Sequence, residues 1–301
     1  MDTSVEKNKE LIEFLCPVCN SSKYKVLYPD TLQGHIPSFN YDFTRNYNRT
    51  FRMVKCLQSS HVYASPRPAS IWSYYTEDKV DTIYMENEIQ RRATSEVVVN
   101  YLLKYKPGGK LLDVGCATGD FIMAAKKYYD AEGLELSGWS GRIAEQRGIK
   151  IYRKLLGEME TESEYDIITM WGVIEHFEYP KKEIENIAHI LKSGGIVALW
   201  TGDISSITAF VMGKKWWYYQ GQHIQMFTNK SMKILFENCG FEKVYMGYYP
   251  YVITYHSLCN SLSRYPTLLK IFTFIFPRKV FSGMRFILKL PGEMFAVFRK
   301  K

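Results

Sequence analysis

Apolar runs of strand length alternate with helix-competent segments through the middle of this chain. Buried strands are predicted at 110–113, 131–135, 149–152, 164–171, 196–200 and 243–249. Helices are predicted at 94–104, 119–128, 138–146, 181–192 and 229–238. Because strands and helices alternate, the pattern predicts an α/β fold with a mostly parallel sheet and right-handed crossovers.

The turn after the first strand has small residues at alternate positions. In Leu112-Asp-Val-Gly-Cys-Ala-Thr-Gly119, these are Gly115, Ala117 and Gly119, and an apolar helix start follows. Small residues let a ligand approach the backbone and face the free N–H groups of the helix. The pattern predicts a ligand-binding turn, and a glycine-rich turn without a ligand is the alternative.

Two acidic residues indicate which ligand this turn takes. Glu135 ends the second strand, where α/β nucleotide folds bind the ribose hydroxyls. Asp120 stands where a dinucleotide fingerprint has a small residue, and its charge would oppose a pyrophosphate. A nucleoside with a cationic tail therefore fits the pattern better than a dinucleotide.

The turn resembles the first motif of the class I S-adenosylmethionine-dependent methyltransferases, with Ala117 in place of the middle glycine. The resemblance implies a Rossmann-like, seven-stranded α/β sheet and S-adenosylmethionine as cofactor. The cofactor contacts that it implies are Asp113, Gly115, Cys116, Ala117, Gly119, Glu135, Leu136 and Trp171. In these enzymes an aromatic residue ahead of the first strand often covers the cofactor. Tyr84 is the candidate here, and an ordinary surface tyrosine is the alternative.

The loop after the fourth strand carries an acid followed by a histidine. Trp171-Gly-Val-Ile-Glu-His176 resembles the branch of the family that includes ubiquinone-biosynthesis O-methyltransferases. Gly172 replaces a glutamate with which some relatives hold a metal, and this disfavours a divalent metal. The segment beginning at His223 resembles a further family motif. Glu175, His176 and His223 are the predicted catalytic residues, with an imidazole as base. Loop ordering and a buried, hydrogen-bonded histidine are the alternatives.

The first 68 residues contain three of the six cysteines. Cys16-Pro-Val-Cys19 and Cys56 resemble the zinc-ribbon-like lead-in of many such methyltransferases, but Ser59 stands where a fourth cysteine is expected. Tetrahedral zinc needs four donors, so His61 or His35 would have to complete the site. Cys16, Cys19, Cys56 and His61 form the predicted metal site, and a metal-free hairpin module is the alternative.

The chain is expected to comprise four segments. These are a zinc-ribbon-like module over 1–68, the methyltransferase core over 69–250, a basic and apolar helical insertion over 251–289, and a closing antiparallel strand over 290–301. Within the insertion, a helix after Pro277 would place Val280, Phe281, Met284, Ile287 and Leu288 on one face. Such a helix suits an anionic membrane surface, and a substrate lid or subunit interface is the alternative.

Composition adds an expectation about partners and location. The 301 residues are 46% hydrophobic and 23% charged, with a formal net charge of +8 and a pI near 9.0. A basic chain suits a polyanionic or membrane-surface partner. The polar first residues contain no secretory signal, and no uncharged run has the roughly 20 residues of a spanning helix. We therefore expect a cytoplasmic protein that can associate peripherally with a membrane.

Together these patterns predict an S-adenosylmethionine-dependent methyltransferase that transfers a methyl group to oxygen. The expected acceptor is a small molecule, a sugar or surface glycan, or a lipid-linked compound. An RNA-modifying methyltransferase is an alternative, prompted by the basic charge, but no platform for base stacking is evident. A non-catalytic, membrane-associated scaffold that retains the fold is the alternative from another class.

Overall fold

A computed structural model describes residues 11–32, 49–71, 82–160, 162–263 and 266–301, and His35 lies outside them. Numbered along the chain, the strands are β1 Leu11–Ile12, β2 Tyr24–Tyr28, β3 Met53–Cys56, β4 Val62–Ala64, β5 Arg67–Pro68, β6 Lys110–Val114, β7 Asp130–Leu134, β8 Ile151–Tyr152, β9 Tyr165–Trp171, β10 Leu191–Gly202, β11 Gln225–Met226, β12 Phe241–Thr254 and β13 Arg285–Lys300. The helices are α1 Thr82–Glu86, α2 Glu88–Leu102, α3 Asp120–Ala125, α4 Gly138–Gln146, α5 Pro180–Ile190, α6 Ile207–Met212, α7 Asn229–Asn238, α8 Tyr255–Leu262, α9 Pro266–Ile275 and α10 Arg278–Phe281.

The largest sheet has seven strands in the order β12-β13-β10-β9-β6-β7-β8. The five strands from β10 to β8 are parallel, whereas β13 runs antiparallel to both of its neighbours. The pairing places Asp113 beside Thr169 on one side and Gly133 on the other, so the carboxyl ends of β6, β7 and β9 meet at one edge. The predicted Rossmann-like α/β sheet is confirmed, and ligands are expected at this edge.

Alternate side chains of the central strands enter two separate apolar layers. Leu112 and Ile168 face the layer that also contains residues of α5 and α7. Leu111 and Ile167 face the opposite layer, which contains residues of α2 and α3. Because helices cover both faces, the inner strands are apolar at successive positions, and this is the pattern expected of a buried parallel sheet.

The N-terminal strands form a second sheet that includes a strand from the core. Its order is β11-β4-β3-β2, and Gln225 of β11 pairs with Tyr63 of β4. Side chains near the cysteines, including those of Val18 and Val54, belong to the same apolar cluster as β6 and β9. The segment predicted as a separate module therefore packs directly on the seven-stranded sheet.

The last two strands continue beyond the central sheet as a two-stranded ribbon. Pro250 to Thr254 pair with Arg285 to Lys289, and helices α8, α9 and α10 lie between the two strands. The helix predicted after Pro277 is wrong beyond Phe281, because Ile287 and Leu288 pair with β12 as part of β13. Backbone pairing with a distant strand here outweighs the local helical pattern. Among the described residues, no helix combines the length and apolarity needed to cross a membrane.

Candidate active site

The turn between β6 and α3 has the left-handed backbone that its small residues permit. Gly115, Ala117 and Gly119 have φ values of 67°, 48° and 79°. The Gly115 N–H donates to the Leu134 carbonyl oxygen at 2.8 Å and so ties the turn to the end of β7. A Cβ atom on Gly115 would lie 2.7 Å from the Val173 side chain. Glycine is therefore needed where the turn packs on the loop after β9.

The Glu135 carboxylate joins this turn to the start of the next. Its Oε2 accepts a hydrogen bond from the Ala117 N–H at 2.8 Å, and its Oε1 accepts one from the Ser137 N–H at 2.7 Å. Burial raises the pKa of Glu135, while the N–H groups of Ser137, Ala117 and Leu136 act in the opposite direction. The structure thus brings Glu135 and Leu136 next to the turn between β6 and α3.

Asp113 and Cys116 lie on the inner side of the turn. Asp113 accepts a hydrogen bond from the Thr169 hydroxyl at 2.7 Å. Burial, with a smaller contribution from the charge of Glu135, raises the pKa of Asp113 to about 8. A cation bound nearby would favour the charged carboxylate. The Cys116 sulfur packs against Gly133, where a Cβ atom would lie 2.4 Å away, so Cys116 presents its backbone and not its thiol to the turn.

Trp171 ends β9 at the same edge of the sheet. Its ring lies 4.8 Å from that of Phe121 at the start of α3, measured between centroids. The Trp171 Nε1 atom is buried and has no hydrogen-bond acceptor among the described residues. An indole N–H in this situation leaves a donor for a ligand atom.

Tyr84 lies beside the turn under a cluster of charged residues. The Arg91 guanidinium lies 3.6 Å from the centre of the Tyr84 ring and donates from Nε to Asp120 at 2.8 Å. Burial raises the pKa of Tyr84. The charges of Asp120 and Glu135 raise it further, and the charge of Arg91 acts to lower it. Arg147 also pairs with Asp120, at 2.8 Å. Neither arginine was predicted from the sequence, because only the fold brings α2 and the end of α4 to Asp120.

Glu175 is held in a buried network at the carboxyl ends of β9 and β10. Its carboxylate accepts hydrogen bonds from the Tyr218 hydroxyl and, at 2.9 Å, from the Thr201 hydroxyl. Burial raises the pKa of Glu175 to about 7, although these hydrogen bonds oppose the shift. Tyr218 was not predicted, and the aromatic-rich stretch before His223 was the signal for it.

His176 and His223 face each other, with 4.9 Å between their ring centroids. The His176 Nδ1 lies 2.9 Å from the Gln222 carbonyl oxygen, and the His223 Nδ1 lies 2.8 Å from that of Tyr218. A carbonyl oxygen can only accept, so both Nδ1 atoms carry the proton and both Nε2 atoms carry the lone pair. Burial lowers the pKa of His176 to about 4 and that of His223 well below its ordinary value, so both rings are neutral.

The structure brings all three predicted catalytic residues together. One ligand atom each from Glu175, His176 and His223 lie within 4.8 Å of one another. This donor set has the chemistry of a divalent metal site. Both carboxylate oxygens of Glu175 already accept hydrogen bonds from protein hydroxyls, however. These contacts fit a site in which the two imidazoles accept protons better than they fit a metal site.

Three predicted metal ligands also meet, in the N-terminal segment. The sulfur atoms of Cys16, Cys19 and Cys56 lie within 4.8 Å of one another, and the Ser59 hydroxyl lies 3.2 Å from the Cys16 sulfur. Burial raises the pKa of Cys16 to about 12. Burial also acts to raise the pKa of Cys56, but hydrogen bonds from Ser59 and from the Gln58 N–H outweigh it and lower this pKa to about 7.

The geometry corrects the fourth predicted ligand. The His61 Nε2 lies 2.8 Å from the Gln225 Oε1 and does not join the thiol cluster. Gln225 also donates from Nε2 to the Phe177 carbonyl oxygen at 3.0 Å. The competing partner comes from β11, which follows His61 by 164 residues, so the local cysteine spacing gave no sign of it.

Comparison with known proteins identifies the family of the chain. Residues 85–245, more than half of the 301-residue chain, match the family model described as a methyltransferase domain. The chain belongs to the class I S-adenosylmethionine-dependent methyltransferases. S-adenosylmethionine is the methyl donor of this family.

Individual relatives agree with this assignment over part of their length. The chain is 31% identical over 134 residues to an uncharacterised protein of Methanocaldococcus jannaschii, which covers 43% of this chain and 60% of that protein. It is 34% identical over 99 residues to a ubiquinone biosynthesis O-methyltransferase of Bordetella avium, covering 30% and 41%. The chain thus spans less than two thirds of either relative.

A solved structure supports the fold. The structure of a SAM-dependent methyltransferase from Archaeoglobus fulgidus superimposes with a TM-score of 0.52 at 14% identity, covering 73% of this chain and all of that one.

The buried histidines of this methyltransferase make its stability depend on pH. Because burial lowers the pKa of His176 from its ordinary 6.5 to about 4, the unfolded chain binds more protons between these values. Stability is therefore expected to rise with pH across this window, by on the order of 3 kcal/mol from His176. The difference between the stabilities of the wild type and His176→Asn, measured from denaturant midpoints, should grow from pH 4 to pH 6.5 and stay constant above that window.

The control for this measurement is His189→Asn, since His189 is 56% exposed and should leave the curve unchanged. Glu175 is present in every variant, so its opposite dependence cancels in the comparison. Parallel curves for the wild type and His176→Asn would contradict the burial of a neutral imidazole.

Proposed function

We propose that this methyltransferase transfers the S-adenosylmethionine methyl group to a hydroxyl oxygen of a small-molecule, sugar or lipid-linked acceptor. The observation that carries the proposal is the pair of buried, neutral imidazoles of His176 and His223 beside the cofactor turn. The Val173 side chain packs against Gly115, so the turn that carries His176 adjoins the turn that would hold the donor. A fixed Nε2 lone pair there is suited to take the proton of an attacking hydroxyl.

The residues of the cofactor turn fit S-adenosylmethionine. Glu135 stands at the ribose position with lone pairs beyond those used by the Ala117 and Ser137 N–H groups. Asp113 would face a cation, and the Trp171 Nε1 offers a buried donor. When bound, the sulfonium supplies an electrophilic methyl group. The protein then has to align donor and acceptor and exclude water.

Among the catalytic candidates, we assign proton acceptance to His223 and His176. Glu175 positions the loop, since its carboxylate is bound by Tyr218 and Thr201. Methyl transfer from a sulfonium is an in-line displacement, so the base need only accept the proton as the oxygen–carbon bond forms. A neutral imidazole meets this need throughout the physiological pH range.

Replacing Glu135 should weaken cofactor binding without unfolding the protein. Loss of a charged hydrogen-bond acceptor costs about 1.5–3 kcal/mol, so Glu135→Ala should raise the Kd for S-adenosylmethionine by about ten- to a hundredfold. Titration calorimetry measures the Kd, and thermal melting checks the fold. Glu145→Ala, which removes an exposed acid, is the matched control. An unchanged Kd for Glu135→Ala would show that the ribose is bound elsewhere.

Methyl-labelled S-adenosylmethionine offered to fractionated extract should label a lipid or glycan fraction in an ether linkage. His223→Asn should reduce the initial rate by about 10²- to 10⁴-fold while the Kd for the cofactor stays the same. His189→Asn serves as the control. Label in RNA would support the nucleic-acid alternative, and label in no fraction would support a non-catalytic scaffold.

The proposal also assigns a zinc ion to Cys16, Cys19 and Cys56, with Ser59 or a water as the fourth donor. The low pKa of Cys56 and the convergence of three sulfur atoms support it.

Ser59→Cys should then strengthen zinc binding about tenfold or more, because a thiolate is the better zinc ligand. Competition with a chelating dye measures this, after purification without added metal. Cys19→Ser should lose the ion, whereas Cys239→Ser, at a half-buried cysteine outside the cluster, should keep it. Absence of zinc from both the wild type and Ser59→Cys would show a metal-free module.

A further inference from the structure

Helix α6 presents large apolar side chains to solvent. Ile207, Phe210 and Val211 are 69%, 85% and 75% exposed, and Ala209 is the buried residue of the helix. A single exposed apolar side chain is ordinary, but three within one short helix form a patch that water does not favour.

The helical insertion exposes a second set of apolar side chains. Phe274 is 87% exposed and Val280 is 72% exposed, and Leu268, Ile271 and Ile275 are each more than half exposed. Within residues 266–290, no described residue is buried. One side of α9, which carries Phe274, is therefore not covered by the described part of the protein, whereas Phe272 packs on Tyr255.

Strand β13 connects these two patches. The Thr208 hydroxyl of α6 donates to the Pro291 carbonyl oxygen at 2.6 Å, so α6 lies against the strand. From Pro291, β13 runs back towards the insertion through Leu290, Leu288 and Phe286, which are 42%, 37% and 46% exposed. We call α6, residues 286–290 and α9 together the apolar surface.

The chain segments that form the apolar surface carry basic residues and no acidic ones, although Arg285 pairs with Glu96 of α2. Residues 243–292 contain no Asp or Glu but seven Lys and Arg, in a chain that has 31 acids overall. Lys214 and Lys215 follow α6 directly and are exposed, and residues 204–229 contain no acid. Exposed apolar side chains among cations match an anionic bilayer, in which the apolar groups enter the interface and the cations contact headgroups.

The apolar surface borders the acceptor side of the active site. Helix α6 begins shortly after Asp203, which follows β10 at the edge of the sheet where Thr201 contacts Glu175. Pro291, which contacts α6, is followed by Gly292. The Gly292 carbonyl oxygen accepts a hydrogen bond from the Asp203 N–H at 2.9 Å, so this part of β13 lies at the same edge of the sheet. A membrane on this surface would lie near the strand end that carries Thr201 and Asp203.

We propose that the apolar surface docks this methyltransferase on an anionic lipid bilayer. This proposal deepens the proposed function. It rests on that function for one consequence, which is that the acceptor is an amphiphile that resides in the membrane. Binding to the bilayer requires neither the cofactor nor the acceptor, so it is measured independently of methyl transfer.

The test is flotation of the full chain with vesicles of phosphatidylcholine that contain about one third phosphatidylglycerol, against pure phosphatidylcholine. The wild type should float with the anionic vesicles and much less with the neutral ones. Phe210→Ser/Val211→Ser and, separately, Phe274→Ser should each reduce the partition coefficient about tenfold or more. Lys214→Glu/Lys215→Glu should reduce it about tenfold, and salt of about 0.5 M should weaken wild-type binding.

The matched control is Lys127→Glu/Tyr128→Ser, which makes the same kinds of change at exposed residues outside the apolar surface. It should leave flotation unchanged. Every variant is first shown to bind S-adenosylmethionine as the wild type does, so a loss of flotation is not a loss of fold.

Three outcomes would overturn the proposal. The first is absence of wild-type binding to anionic vesicles. The second is binding by Phe210→Ser/Val211→Ser and by Phe274→Ser that equals the binding of the wild type. The third is concentration-dependent dimerisation that these variants abolish, because the surface would then be an interface between two copies of the chain. None of these outcomes bears on cofactor binding or on methyl transfer to a water-soluble acceptor.

Discussion

The Glu135 carboxylate is the interaction on which the cofactor half of the structure depends. It is buried, and a buried charge is stable only where hydrogen-bond donors surround it. The Ala117 and Ser137 N–H groups supply those donors, and they belong to two different turns. One side chain thus fixes the distance between the end of β6 and the end of β7. It also holds Ala117 in a left-handed conformation that alanine adopts only at a cost. A site with this shape before the ligand arrives loses less entropy when the ligand binds.

At the neighbouring ends of β9 and β10, burial favours the neutral forms of the titratable side chains. Around His176, His223 and Glu175 it raises the pKa of the acid and lowers those of the bases, so charge is disfavoured on all three. The Glu135 site is therefore suited to a polar, cationic donor, and the histidine site to an uncharged acceptor that gives up a proton. The Val173 side chain contacts Gly115, so the turn that leads to His176 adjoins the turn after β6. Methyl transfer needs this arrangement, because the two reactants must meet in line.

The parts of the structure that the sequence predicted well are those with a local cause. Strand β9 and helix α7 occur within a residue of their predicted limits, since a continuous apolar run and a Thr228 cap with Gly240 after the helix are local signals. The cofactor turn was predictable for the same reason. His61 was assigned wrongly because its partner is on β11, and the helix beyond Phe281 was wrong because β12 pairs with that segment. Arg91 and Tyr218 were missed because their partners, Asp120 and Glu175, are close only in the folded chain.

The N-terminal segment holds the loop after His176 in place. His61 contacts Gln225, and Gln225 donates to the Phe177 carbonyl oxygen, one residue beyond His176. The buried Arg67 donates to the Glu178 carbonyl oxygen at 2.8 Å, so two separate contacts fix the backbone after the catalytic turn. A buried carbonyl group without a hydrogen-bond donor would destabilise the fold, and these contacts supply the donors in this loop. His61 thus supports the loop after His176 through Gln225, and it does not act as a metal ligand. The position of His176 then depends on the fold of the cysteine segment, whether that fold is held by zinc or by its apolar contacts with the core.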